Sequence, residues 1–501
     1  MKINGSTARW GIVWMGLVLL FSAWATRASH NVVDLDLWHE LSLAREIVRQ
    51  GAVPRADFLA YTPTVSPMLD HEWGAGMLAY AALKIAGPSG IVALTLCTLA
   101  AACLFCCATA RRQKTDARIL ALAGIVTAPL LAMGFTPVRA HAYSFVFFAA
   151  LLLAIEKDRQ GVRRALPMWM PLFVFWINCH ASFVLSFIFL GVYWISALWQ
   201  RKPHIHILIA MAVCAALVAV NPYGTAMYPY VWRSVRMARP MVDEWSPAWH
   251  GRFAPLLRPV LISLALVLYA AWHRCGAFFR REAPLQPAAT ILLAAAAGIL
   301  HVKLLPYYAV AFLAYFPAMF GGTPIGATTI AILDNNRKAF WATWTAVMVA
   351  SIAGLGMMRF WVLSVPDHGG VVSDYPVGAV EYMAKEHFEG RLMTPFNEGA
   401  YVSWKLYPDV LISMDSRYEV AYPEWMVARN QHAYDTGDWR SFIEAYPTDA
   451  ILTHRNSPME ASLSGAWRRV YRDGAYCLFA RPGLNLTPAD YGAQTFNGSL
   501  P

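Results

Sequence analysis

The chain has 501 residues, 57% of them hydrophobic and only 14% charged, with 20 Trp and a mean hydropathy of +0.40. An ordinary soluble chain carries about a quarter of its residues charged, so this composition excludes that class and indicates a polytopic membrane protein. The formal net charge of +10 does not mark a nucleic-acid partner, because Lys and Arg fall in short clusters between apolar runs, the pattern that orients membrane spans.

Met1 to Ala28 joins a basic start (Lys2, Arg9) to an apolar run from Trp10 to Ala25. A cleaved signal peptide is the alternative, but the run is at the upper length limit for one and many more apolar runs follow, so it reads as an uncleaved first span. A large outer loop, 26–73, comes next. Its part from Asn31 to Trp73 holds seven acidic residues, which hydrocarbon cannot solvate, so it must lie at the water interface or in a protein-lined cavity. Leu37, Leu41, Ala44, Ile47 and Val48 recur at helical spacing, which predicts a helix on the membrane surface, with Asp34 and Asp36 at its N-terminal end.

Trp73 to Ala86 is apolar but short, an interfacial or re-entrant helix. Gly90 to Ala110 crosses to the basic cluster Arg111, Arg112, Lys114 and Arg118, and Ile119 to Phe135 returns outward to Arg139 and His141. Ala142 to Ile155, Met168 to Asn178, Phe183 to Trp199 and Ile205 to Val220 continue the alternation, with an outer turn at Asn178-Cys179-His180. A second outer loop, Tyr228 to Pro255, holds Glu244 and Trp245; its aromatic residues read as an interfacial belt, the alternative being aromatics that stack on sugar. Leu256 to Trp272, Ala288 to Leu300, Pro306 to Phe320 and Phe340 to Met358 complete the series, with His301 and Lys303 at an outer turn.

The expected fold is an α-helical polytopic membrane domain, 1–358, of about eleven spans with the N-terminus inside. A small extracytoplasmic α/β domain, 359–482, follows, with strands at Arg391–Pro395, Val410–Met414, Ala450–His454 and Tyr476–Arg481 and helices at Pro376–Phe388 and Trp439–Tyr446. Residues 483–501 read as a loose tail. Cys103, Cys106 and Cys107 read as small packing residues, and the eight cysteines give no disulfide framework.

An N-inside first span, an acidic outer loop with Asp34-x-Asp36 near its start, Ala44-Arg45-x-Ile47 on a helix ended by Gly51 and Pro54, and many further spans with an outer C-terminal domain together resemble the GT-C superfamily of membrane glycosyltransferases. Within it the loop is most similar to those of bacterial relatives of protein mannosyltransferases and of the lipid A aminoarabinose transferase. That resemblance implies a GT-C-type, polyprenyl-phosphate-sugar-dependent enzyme at the outer face of the cytoplasmic membrane, whose partners are the lipid-linked sugar, membrane lipid and a glycan, lipid or protein acceptor.

Aligned on Ala44-Arg45, the family's main acidic position falls on Asp36, implying a base there, with Asp34 in a supporting or metal-binding role. An acceptor hydroxyl is a poor nucleophile until a base takes its proton, and a departing phosphate needs positive charge beside it. The alternative is that one of the two acids only caps the helix. Basic side chains at predicted outer helix ends, Arg139, His141, His180 and Lys303, with His71 in the loop, are the candidates for holding the donor phosphate, Arg139 being best suited to a forked contact. The same residues also suit interfacial anchoring. Where family members commonly carry a Lys before two prolines, this chain has Asp70-His71-Glu72-Trp73; His71 and Glu72 either act at the site or pair with Arg45. Glu72, Trp73, Glu244 and Trp245 are the candidate acceptor or sugar contacts. The cofactor that the sequence admits is a Mg²⁺ or Mn²⁺ ion bridging Asp34 or Asp36 to phosphate. A transporter or flippase for a lipid-linked or polar solute, or a non-catalytic glycan-assembly factor, are the rival functions; a transporter predicts charges near mid-membrane, whereas the acids here cluster outside.

Overall fold

The computed structural model describes residues 33–135, 139–237, 242–357, 361–366 and 375–500, together with Arg9, Val13 and Gly16. The expected first span, Trp10 to Ala25, lies outside the described residues apart from Val13 and Gly16. The helices in chain order are α1 (Leu35–Gln50), α2 (Trp73–Arg112), α3 (Ala117–Phe135), α4 (His141–Arg159), α5 (Ala165–Cys179), α6 (Leu185–Trp199), α7 (Ile205–Leu217), α8 (Met227–Arg236), α9 (Ala254–Phe279), α10 (Gln286–Leu300), α11 (Leu305–Gly321), α12 (Pro324–Asn335) and α13 (Arg337–Leu355). Six more follow: α14 (Val377–Lys385), α15 (Gly399–Leu406), α16 (Tyr418–Ala421), α17 (Glu424–Thr436), α18 (Trp439–Ala445) and α19 (Pro458–Leu463). The strands are β1 (Ser364–Pro366), β2 (Gly390–Met393), β3 (Val410–Ile412), β4 (Ala450–His454), β5 (Arg468–Arg472), β6 (Tyr476–Ala480), β7 (Ala489–Asp490) and β8 (Asn497–Ser499).

Among the described residues, five helical stretches are long and apolar enough to cross a membrane: Trp73–Arg112, Ala117–Phe135, Ala181–Trp199, Gly251–Phe279 and Val302–Gly321. Ala165–Cys179, Ile205–Leu217 and Gln286–Leu300 are apolar but shorter. The protein is therefore a membrane protein, but the about eleven spans expected from sequence are not matched by as many full-length candidates. In α2 the dihedral angles leave the helical region at Ala86 (φ −137°) and Gly87 (φ 62°), just before Pro88. That break coincides with the predicted end of the short Trp73 to Ala86 segment, and Gly supplies the positive φ at no steric cost.

The chain divides into two compact units that cut across the sequence-based boundaries. One unit comprises 93–136 and 140–360 with the N-terminal 30 residues, and the elements among its described residues are all helices. Its most enclosed helix is α11, where Phe312, Phe316 and Phe320 stack at one-turn intervals. α3 passes so close to α11 that a Cβ on Gly134 would lie 2.7 Å from the Pro306 side chain, so only glycine fits there.

The other unit joins 31–92 and 137–139 to 361–501. The acidic loop thus folds with the C-terminal segment as one body, and the expectation of a helix lying on the membrane surface is corrected. In α1 Leu37, Trp38, His39, Glu40, Leu41, Ser42, Leu43, Ala44, Glu46 and Ile47 are all buried. Protein surrounds it: Trp38 meets Tyr401 of α15 edge-on at 4.9 Å, and Arg45 donates to the Trp404 carbonyl at 3.0 Å while lying 4.6 Å over its ring. Arg45 therefore has a partner in α15. The start of α2 presses on the other side, since a Cβ on Gly76 would meet the Glu40 carbonyl oxygen at 2.7 Å.

The C-terminal sheet has the order β3-β2-β4-β6-β5-β7, with β2 parallel to β3 and β4 and with β6 antiparallel to β4 and β5. Its edge strand β3 is covered by the loop, where Tyr61 N donates to the Ile412 carbonyl and Ile412 N to the Leu59 carbonyl, both at 3.0 Å; a bare edge would invite pairing with another chain. The four predicted strands and two predicted helices of this region are present. The segment read as a loose tail is not loose: β7 pairs with β5 and β8 with β1.

Candidate functional site

The N-terminus of α1 decides which acid does what. Asp34 is the N-cap, in extended conformation, and its Oδ1 accepts from the Asp36 backbone N–H at 3.2 Å, satisfying one of the helix's otherwise open donors. The helix begins at Leu35 rather than near Leu37, so capping falls to Asp34 and Asp36 sits in the first turn. Their exposures differ accordingly: the Asp34 side chain is 6% exposed and that of Asp36 33%.

Arg139, more than a hundred residues further on, is in the same compact unit. Its Nη1 lies 3.8 Å from Asp34 Oδ2 and 3.7 Å from Asp36 Oδ2, and its side chain is 11% exposed. A guanidinium beside two carboxylates offsets one of their two negative charges, at distances longer than a full hydrogen bond.

One turn along α1 from Asp36, His39 is buried, with Ser416 Oγ 3.5 Å from its Nδ1. It belongs to a second polar group with Asp70, His71, Glu72 and Glu419. Burial pushes the Asp70 carboxyl up against the attraction of His39 and His71. Burial also acts to lower His71, but the carboxylates of Glu72, Asp70 and Glu419 outweigh it and hold the imidazole above its ordinary value. His71 lies 3.5 Å from Glu72, so its charge is answered by carboxylates and it pairs with them rather than with Arg45. Trp73 packs against an apolar cluster of Leu43, Ile47 and Met68, which gives it a core role. Sequence reading missed His39, Ser416 and Glu419: no local pattern sets His39 apart from the other polar positions of α1, and the other two sit in a segment whose contact with the loop no local pattern announces.

The remaining candidates lie in the helical unit. His141 and His180 have ring centroids 6.4 Å apart. His180 Nδ1 is 2.7 Å from Ser182 Oγ, which donates to Ser144 Oγ at 2.7 Å and accepts from the Tyr307 hydroxyl at 2.7 Å. Trp245 accepts at its carbonyl from the His301 ring (2.8 Å), and Lys303 Nζ lies 5.6 Å over one face of the Trp245 indole. Glu244 is adjacent to Trp245 and half-buried.

Among the described residues, no three His, Cys, Asp or Glu side chains converge as a metal cage. Asp34 and Asp36 nevertheless offer two carboxylates, which suits Mg²⁺ when phosphate oxygens and waters complete its shell.

No protein-family profile matches the sequence, and no curated protein matches it significantly. The structure is similar to that of the Archaeoglobus fulgidus oligosaccharyltransferase in its apo form, with a TM-score of 0.57 at 11% identity over 95% of this chain and 75% of that one. A second structure, archaeal oligosaccharyltransferase AglB from the same organism in complex with an inhibitory peptide and a dolichol-phosphate, gives 0.57 at 11% identity over 88% of this chain and 69% of that one. The shared feature is a GT-C fold. The narrower likeness to bacterial protein mannosyltransferase relatives and the aminoarabinose transferase is not what these neighbours display.

Proposed function

We propose that the chain is an inverting membrane glycosyltransferase that moves a sugar from a polyprenyl-phosphate donor to an acceptor at the outer face of the cytoplasmic membrane. The observation that carries this reading is the convergence of Asp34, Asp36 and Arg139, with Nη1 of the arginine within 3.8 Å of both acids. Asp36, the more open carboxylate, takes the proton of the acceptor hydroxyl as that oxygen attacks the anomeric carbon. The bond from that carbon to the phosphate oxygen breaks, and Arg139 stabilises the negative charge that leaves. Asp34 fixes the helix terminus that aims Asp36. Glu72, in the loop that leads into α2, contacts the acceptor, and His71 beside it contacts the donor phosphate. A Mg²⁺ or Mn²⁺ ion would be held by Asp34 and Asp36 and would add positive charge at the donor phosphate.

The GT-C fold supports this reading, and so does the neighbour bound to a dolichol-phosphate, a lipid of the class proposed here for the donor. The test is Asp36→Asn in the full chain, in cells whose glycan and lipid A profile changes when the protein is absent. Transfer is expected to fall by at least about a hundredfold with the protein still folded and membrane-inserted. Undiminished transfer would sink the assignment and favour a transporter, which should tolerate the change.

A further inference from the structure

We propose that Tyr375, in the C-terminal segment, is a positioning residue for the acidic pair. This rests on the reading of Asp36 as the base, and it gives the C-terminal segment a task in the reaction besides any choice of acceptor. The tyrosine hydroxyl donates to the Val33 carbonyl at 2.6 Å, while the Val33 N–H donates to the Ser364 carbonyl at 3.1 Å. Both backbone groups of the residue before the Asp34 cap are therefore held by the C-terminal segment. On the other side of the acids, Trp38 is wholly buried. It meets Tyr375 edge-on at 5.8 Å and Tyr401 at 4.9 Å, and Tyr375 in turn lies 5.5 Å from Tyr401.

The five residues from Asp34 to Trp38 are thus pinned at both ends by one side chain, through its oxygen at Val33 and its ring at Trp38. Tyr375 is itself 0% exposed, so its hydrogen bond forms away from competing water and is costly to lose. Helix first turns fray unless something holds the entering strand. A general base works only within hydrogen-bond reach of the proton it takes, and displacements near 1 Å cost large factors in rate. Through that bond Tyr375 acts on the backbone that carries Asp34 and Asp36.

The test uses the full chain in lipid nanodiscs, comparing wild type, Tyr375→Phe and Tyr401→Phe. Both variants delete one hydroxyl from the same aromatic cluster, but the Tyr375 hydroxyl is the one that bonds to Val33. Hydrogen exchange of residues 35–38 is expected to quicken about tenfold in Tyr375→Phe, with exchange in β2, β4 and β6 unaltered and the melting temperature lowered by about 2–6 °C. Tyr401→Phe is expected to leave residues 35–38 unchanged. Unaltered exchange there in Tyr375→Phe, equal loosening in both variants, or loosening that spreads through the sheet would overturn the positioning role. A second readout is the affinity for undecaprenyl phosphate, expected to weaken about three- to tenfold in Tyr375→Phe alone, because Arg139 is oriented by the same two acids. Wild-type protein that fails to bind this lipid would count against the glycosyl-transfer reading, and the exchange result would still decide for or against the role of Tyr375.

Discussion

Arg139 and Arg417 show how the same side chain serves two ends at the scale of single residues. Arg139 borders a carboxylate that is a third exposed; Arg417 is enclosed, its Nε donating to Asp415 at 2.9 and 2.8 Å and its Nη1 bonded to Asp57 of the loop. Burial acts to lower the Arg417 pKa, but Asp415 and Asp57 together raise it above its ordinary value. Arg139→Lys keeps the charge and loses the planar fork, so transfer should drop about ten- to a hundredfold at unchanged melting temperature. Arg417→Met strands two buried carboxylates and should cost about 3–5 kcal/mol in thermal or denaturant unfolding. His71 supplies a pH signature. Its raised pKa, like that of Asp70, means that the folded state binds more protons than the unfolded one, so stability must fall as pH rises. The His71 contribution is complete below about pH 6.5 and is lost as pH climbs through the raised value. Melting temperature measured from pH 6 to pH 9 should therefore decline, and His71→Gln should flatten that slope.

At the scale of elements, α1 is where sequence and structure part most usefully. Its helical period is real, and Gly51 ends it in the left-handed conformation (φ 71°) that glycine tolerates. What the period could not convey is that the polar face, including His39, Glu40, Ser42 and Glu46, is also buried. Helical periodicity distinguishes apolar from polar faces, but it does not reveal whether a polar face meets water or the polar groups of a distant segment. Gly76→Ala tests the tight seat of α1 against the start of α2: the added methyl would meet backbone rather than a yielding side chain. It should lower stability by about 1–3 kcal/mol and loosen exchange along α1. In the C-terminal sheet, β4 and β6 were legible as apolar runs, whereas β5 (Arg-Arg-Val-Tyr-Arg) was not, because a strand near the sheet's edge with its arginines outward lacks such a run.

For the molecule as a whole, the loop and the C-terminal segment form one compact body, with the loop covering edge strand β3. A chain ended after residue 357 should therefore leave the loop without its partners, and limited proteolysis should cut within 51–72, which the full chain should protect. Intact loop in the shortened chain would show that it folds by itself.

Composition and periodicity by themselves settled the membrane class, the helical runs, the strands richest in apolar residues, and the acidic Asp34-x-Asp36 end of a helix, because each is written in neighbouring residues at fixed spacing. Which acid caps and which stands open, that Arg139 reaches both, and that Tyr375 and Arg417 grip the loop were decided only in three dimensions. Those contacts join residues from about a hundred to more than three hundred and fifty positions apart, and no local pattern of hydrophobicity or charge encodes which distant partner a buried polar group will find.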